Sequence, residues 1–112
     1  MELEHRVEGP ILVATPLEQR LDARSAPSFR DRIIDFVKAG HQRIVLDLSR
    51  VEFIDSSGIG AIVSVRKQLA DQGELVICGA SPTVASMFKL TRLDKVFQIV
   101  LTQEDALASL NQ

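Results

Sequence analysis

Apolar positions in this chain follow two spacings that take turns along it. Short runs rich in Val, Ile and Leu have the length of strands: Leu3 to Val7, Ile11 to Ala14, Ile44 to Leu48, Glu74 to Gly79 and Val96 to Val100. Between them, apolar residues return at helical intervals. Phe29, Ile33, Phe36 and Val37 predict a helix from about Ser25 to Ala39, with Arg30, Asp31, Asp35 and Lys38 facing water. Ser25 stands at its N-cap, Pro27 is tolerated in its first turn and Gly40 is a natural stop. A second helix, opening near Ile59, runs to roughly Gln72. Ser81-Pro82 caps and starts a third, which continues through Met87 and Phe88. Thr102-Gln103-Glu104-Asp105 is close to a capping box, with Asp in place of Glu or Gln, and begins a short last helix with Ala106, Leu107 and Leu110 inward.

Glu8-Gly9-Pro10 separates the first two strands as an antiparallel hairpin turn, and Pro16 lets the second strand continue only irregularly, at an edge. The later strands are each followed by a helix, which implies right-handed crossovers and parallel pairing. The expected architecture is one α/β domain spanning residues 1–112, a mixed β-sheet of about five strands with helices mainly on one face.

Composition narrows the function classes. At 46% apolar and 25% charged residues the chain suits an ordinary globular domain rather than a disordered segment. A net charge of −2, with Arg20, Arg24, Arg30, Arg32, Lys38 and Arg43 interleaved with Asp22, Asp31 and Asp35, offers no basic patch for direct nucleic-acid contact. The absence of Trp and Tyr removes most stacking platforms. One cysteine, Cys78, excludes an internal disulfide, suits a reducing compartment and reads as a small apolar strand residue. Met1-Glu2-Leu3-Glu4-His5-Arg6 lacks a signal-peptide pattern and no apolar run reaches membrane-spanning length, so a cytoplasmic protein with no membrane insertion is expected.

The densest chemistry lies in Phe53-Ile54-Asp55-Ser56-Ser57-Gly58-Ile59-Gly60, an acidic and hydroxylic turn between a strand and a helix. A helix start leaves N–H groups unpaired and favours negative charge, so phosphate could be accepted there. Gly58 and Gly60 do not complete a phosphate-binding loop, since Val63 stands where a third glycine belongs. Nor is there a nucleophile elbow, because Ile54 or Asp55 takes the place of its first glycine. His5 and His41 have no companion at ligand or triad spacing, and nothing builds a substrate pocket around Asp22 and Asp55, so no enzyme is expected. Local helix capping by Ser56 and Ser57, with Asp55 adding charge, would explain the turn by itself. The two glycines weaken that explanation, at about 1 kcal/mol each relative to Ala in a helix interior. They serve either a bare surface that another protein approaches or close packing on the protein's own sheet.

Val45-Leu46-Asp47-Leu48 followed by Val51 to Gly60 resembles the signature of bacterial anti-sigma factor antagonists, the stand-alone members of the STAS domain family. The likeness extends through Leu21-Asp22, Val76 to Val84 and the terminal strand and helix. It implies a domain that binds a serine-kinase anti-sigma factor of the histidine-kinase-like ATPase fold and thereby frees a sigma factor. The kinase phosphorylates the serine after the aspartate, the antagonist lets go, and a PP2C-type phosphatase restores it. On this chain the resemblance makes Ser56 the phosphoacceptor, flanked by Asp55 and Ser57, with Gly58 and Gly60 shaping the turn and Asp22 on a neighbouring loop of the partner-binding face. Ser64, Arg66 and Lys67 are either further contacts or a solvated helix face. No cofactor and no metal are expected, and nothing in the sequence forces a dimer, so a monomer is expected. Two positions depart from the family: Gln19 and Arg92 stand where glycine is common. The rival readings are an accessory subunit of a lipid-transport ATPase, a regulator of another signalling output and, more distantly, a small nucleotide-binding module.

Overall fold

In the computed structural model, which describes residues 2–111, the chain enters through the expected hairpin of β1 (Leu3–Glu8) and β2 (Ile11–Pro16). Met1 and Gln112, included in the expected domain span, lie outside the described residues. Glu8 pairs with Ile11, so Gly9 and Pro10 form a two-residue loop, and the φ of +58° at Gly9 suits the primed turns that match strand twist. β2 pairs in parallel with β4 (Arg43–Asp47) only over Leu12 to Ala14, so Pro16 lies past that ladder and its missing N–H breaks nothing. β2 is thus an inner strand of the sheet, but at Pro16 it is paired only with Leu3 of β1, as the proline predicts. β6 (Glu74–Cys78) and β7 (Gln98–Val100) add further parallel pairs, giving the order β1-β2-β4-β6-β7.

Alternation along the strands divides the core in two. Leu12, Ala14, Ile44, Leu46, Leu75 and Ile77 face α1 (Ala26–Lys38), α2 (Ser56–Gln68) and α3 (Pro82–Leu90). Ile11, Val13, Val45, Val76 and Cys78 face the other way and are covered by Ala106 and Leu110 of α4 (Gln103–Leu110). Three helices on one face and one on the other give the expected mixed sheet. α1 buries Phe29, Ile33 and Val37. Phe36 is only half-buried, its ring 4.8 Å from that of His5 and 5.9 Å from that of His41.

Several boundaries differ from expectation. α2 stops at Gln68 because Leu69 turns extended (φ −74°, ψ 145°) and the Gln42 side chain takes the Ala70 N–H at 2.8 Å. β7 begins at Gln98, after a 3-10 turn at Leu93–Lys95. Two short strands have no counterpart in the hydrophobic pattern. These are β3 (Arg20–Leu21) and β5 (Phe53–Ile54), which pair in parallel as a separate two-stranded ladder.

The two departures from family glycine fare differently. Arg92 holds φ 60°, the one non-glycine positive φ among the described residues. Left-handed backbone costs a side-chain-bearing residue about 1–2 kcal/mol, partly offset by glycine's greater unfolded-state entropy. Arg92→Gly is therefore expected to raise stability by about 0.5–1 kcal/mol, read as a higher urea midpoint at unchanged slope. Gln19 needs no such conformation, and its carbonyl anchors β5 by accepting from Glu52 N–H (2.7 Å) and Phe53 N–H (3.1 Å).

Candidate functional site

The β3–β5 ladder builds the site. Its register sets Arg20 opposite Phe53 and Leu21 opposite Ile54, and the Asp55 N–H donates to the Leu21 carbonyl at 3.2 Å. Asp22 and Asp55 come next on the two chains, so a loop 33 residues upstream of the signature turn is brought beside it. Leu21 and Ile54 are fully buried and fix the ladder to the core, while Arg20, Asp22, Phe53 and Asp55 lie on the opposite, outer side.

Asp55 is the N-cap of α2. Its Oδ1 accepts from Ser57 N–H (2.8 Å) and Gly58 N–H (3.1 Å). Capping thus falls to the aspartate, not to Ser56 or Ser57. Both serines are exposed, and neither hydroxyl has a hydrogen-bond partner among the described residues. A hydroxyl not engaged in local structure is free for chemistry with a partner.

The glycines divide between the two roles. A Cβ on Gly58 would lie 2.4 Å from the Leu21 carbonyl oxygen and 2.6 Å from Ile54 Cγ1, so this glycine lets α2 press against the ladder. A Cβ on Gly60 would meet nothing within 4 Å. Gly60 instead lines a groove of about 330 Å³ with Ala23, Ala26, Arg30, Ser57 and Ser64. The bare-surface explanation belongs to Gly60 and the packing explanation to Gly58.

Asp22 is held by its own loop. Arg24 N–H donates to its Oδ1 at 3.0 Å and Arg20 Nε lies 3.3 Å from its Oδ2. The Arg24 hydrogen bond foremost, with Arg20, keeps this carboxyl below the ordinary value of 3.8. Folding therefore favours the ionised form, a contribution present above pH 3.8 and lost as pH falls through the lower folded value. The stability difference between wild type and Asp22→Asn, from urea unfolding across pH, is expected to shrink on acidification below 3.8. Ser25 has its hydroxyl turned into the same loop, donating to the Arg20 carbonyl at 2.7 Å and accepting from Asp22 N–H at 3.2 Å. It occupies the N-cap position of α1 without capping it.

Elsewhere the candidates carry less. Cys78 is buried, and burial, with a lesser push from Asp47, drives its thiol up to about 12, away from nucleophilic use. On α2, Ser64 and Arg66 are half-buried and Lys67 is exposed. Among the described residues no group of three or more His, Cys, Asp or Glu side chains is placed to hold a metal, and no helix is long and apolar enough to cross a membrane. Sequence reasoning passed over Arg20 and Phe53 as site residues, although Arg20 Cζ sits 4.1 Å from the Phe53 ring centroid. The signal available was Arg20-Leu21 and Phe53-Ile54, each an outward residue followed by an inward one.

The STAS domain family model matches residues 3–106. The chain belongs to the STAS domain family. An anti-sigma F factor antagonist from Paenibacillus polymyxa is 30% identical over 113 residues, covering 98% of this chain and 93% of its own. Among solved structures, an anti-sigma factor antagonist from Mycobacterium paratuberculosis has the same fold, with a TM-score of 0.92 at 24% identity over 99% of this chain and 94% of its own. The Bacillus cell fate determinant SpoIIAA, solved in its phosphorylated form, shares the fold with a TM-score of 0.72 at 23% identity, over 96% of this chain and 98% of that one. The STAS fold thus accounts for the mixed sheet, the hairpin entry and the α4 cover described above.

Proposed function

We propose that this STAS domain, residues 1–112, is a cytoplasmic anti-sigma factor antagonist controlled by phosphorylation of Ser56. The observation that carries the reading is the Ser56 hydroxyl: exposed, unpartnered and set at the first residue of α2, directly after the capping aspartate. The naming of the Paenibacillus relative as an anti-sigma F factor antagonist supports the partner class. A monomer binds a serine-kinase anti-sigma factor through Asp22, Asp55, Ser56, Ser57 and Gly60, with Gly58 holding the turn in shape. Binding releases the sigma factor. Transfer of phosphate to Ser56 adds about −1.5 to −2 charges beside Asp55, and repulsion and desolvation then oppose the apposed partner. A PP2C-type phosphatase restores the binding form. The domain supplies the acceptor hydroxyl and the surface, while the kinase supplies the catalysis.

The test is recovery of the tagged chain from its native cell with whatever binds it. A soluble serine kinase of the histidine-kinase-like ATPase fold is expected. Recovery of membrane-transporter subunits in its place would favour an accessory subunit of a lipid-transport ATPase.

A further inference from the structure

Most of the donors at the start of α2 are already engaged before a phosphate is placed on Ser56. The N–H groups of Ser57 and Gly58 are already taken by the Asp55 carboxylate, and the Ile59 N–H donates to the Asp55 carbonyl at 3.0 Å. The new dianion would meet a carboxylate at the donors a helix start normally gives an anion. Asp22, one step beyond the ladder pair Leu21–Ile54, adds a second carboxylate on the same side.

Arg20 is the cation built into that outer face. Its guanidinium sits over Phe53, with Cζ 4.1 Å from the ring centroid, and it holds Asp22 by Nε alone, at 3.3 Å. Its two terminal nitrogens have no protein partner among the described residues, and its side chain is 61% exposed. A single-point exposed pair of this kind is weak, whereas a phosphate dianion can accept two parallel guanidinium hydrogen bonds. Aromatic stacking limits the guanidinium's freedom, so little further order is lost on binding an anion.

We propose that Arg20 receives the phosphate of phosphorylated Ser56 on its two terminal nitrogens, so that one guanidinium is shared between the phosphate and Asp22. This rests on the reading of Ser56 as the phosphoacceptor. Phosphorylation then does two things to the face: it adds charge at α2, and it ties the guanidinium that holds Asp22 to the signature turn. The other charged groups bordering the serine pair are Asp55 on the turn and Arg30 of α1, which shares the groove with Ser57 and leans on Asp31 at 3.2 Å; Arg24 lies on the Asp22 loop, in the cavity that Arg20 and Asp22 line.

The experiment installs phosphoserine at position 56 of the whole chain by genetic encoding, so no kinase is needed, and follows the phosphate by phosphorus NMR across pH. The second ionisation of phosphoserine ordinarily falls at about 6. Arg20→Gln is expected to raise it by about 0.5–1 unit relative to the phosphorylated wild type, and Arg20→Lys to recover only part of the difference, since an ammonium lacks the two-point geometry. Arg24→Gln, with the same loss of net charge, is expected to move it much less. An Arg20→Gln value equal to wild type, or an equal shift in Arg24→Gln, would overturn the assignment. Failure to find phosphate on Ser56 in the native cell bears on the function proposed above and leaves this measurement standing.

Discussion

Gly58→Ala is expected to destabilise the domain by about 3 kcal/mol, the upper end of what overpacking costs. The methyl would lie 2.4 Å from the Leu21 carbonyl oxygen and 2.6 Å from Ile54 Cγ1, distances that nothing but movement can relieve. Backbone is the nearest obstacle, so no rotamer change suffices. Either α2 lifts or β3 shifts, and β3 cannot shift without loosening the Asp55 N–H to Leu21 hydrogen bond of 3.2 Å. The damage therefore reaches Asp22 and Asp55 together, and partner affinity should fall along with the urea midpoint. Gly60→Ala is the matched comparison. It meets open space in a helical position, so it should stabilise the fold by about 0.5–1 kcal/mol while weakening the partner complex if the groove is contacted. Equal stabilities for the two alanine variants would show that α2 does not press on the ladder as described.

The second large effect is on binding alone. Ser56→Asp should lower affinity for the kinase partner by about 2–4 kcal/mol, roughly 30- to 1,000-fold, as expected when a charge is placed in a closely apposed interface. Its effect on folding should stay within about 0.5 kcal/mol, because the Ser56 side chain is exposed and makes no hydrogen bond that the change removes. An acidic residue in the first turn of α2 is also tolerated by the helix dipole. Ser56→Ala should bind like wild type and accept no phosphate. Calorimetric titration with the partner, beside thermal unfolding of each variant, separates the two effects. Loss of stability in Ser56→Asp comparable to a core deletion would mean that the serine is structural.

How far the sequence could be read depended on whether a feature was local. α1 was legible because Phe29, Ile33 and Val37 repeat along one face between Pro27 and Gly40, and all three are buried. The hairpin was legible from Gly9-Pro10, and the strands of the main sheet from their apolar runs. The β3–β5 ladder was not, since two residues per strand are too few to show a period, and it is defined by pairing across 33 positions. Yet it is this ladder that carries Asp22 to Asp55. The N-cap of α2 was placed one or two residues late, because Asp and Ser are equally good caps and only geometry shows which oxygen reaches the N–H groups. The sequence alone likewise leaves the roles of Gly58 and Gly60 open between packing and exposure. Two residues apart on a helix, they point in different directions: Gly58 faces the Leu21 carbonyl of β3, distant in sequence, and Ile54, whereas Gly60 faces open space. Asp22 and Ser56 were singled out through the resemblance to a family; the structure adds how the chain brings their segments together.

The most direct test of the account is site-mapping mass spectrometry of the protein recovered from its native cell under several growth conditions. A single phosphate on Ser56, its occupancy changing with conditions and falling when the copurifying kinase is deleted, is the predicted result. Phosphate on Ser57 or elsewhere with Ser56 unmodified, or no phosphate under any condition, would contradict it.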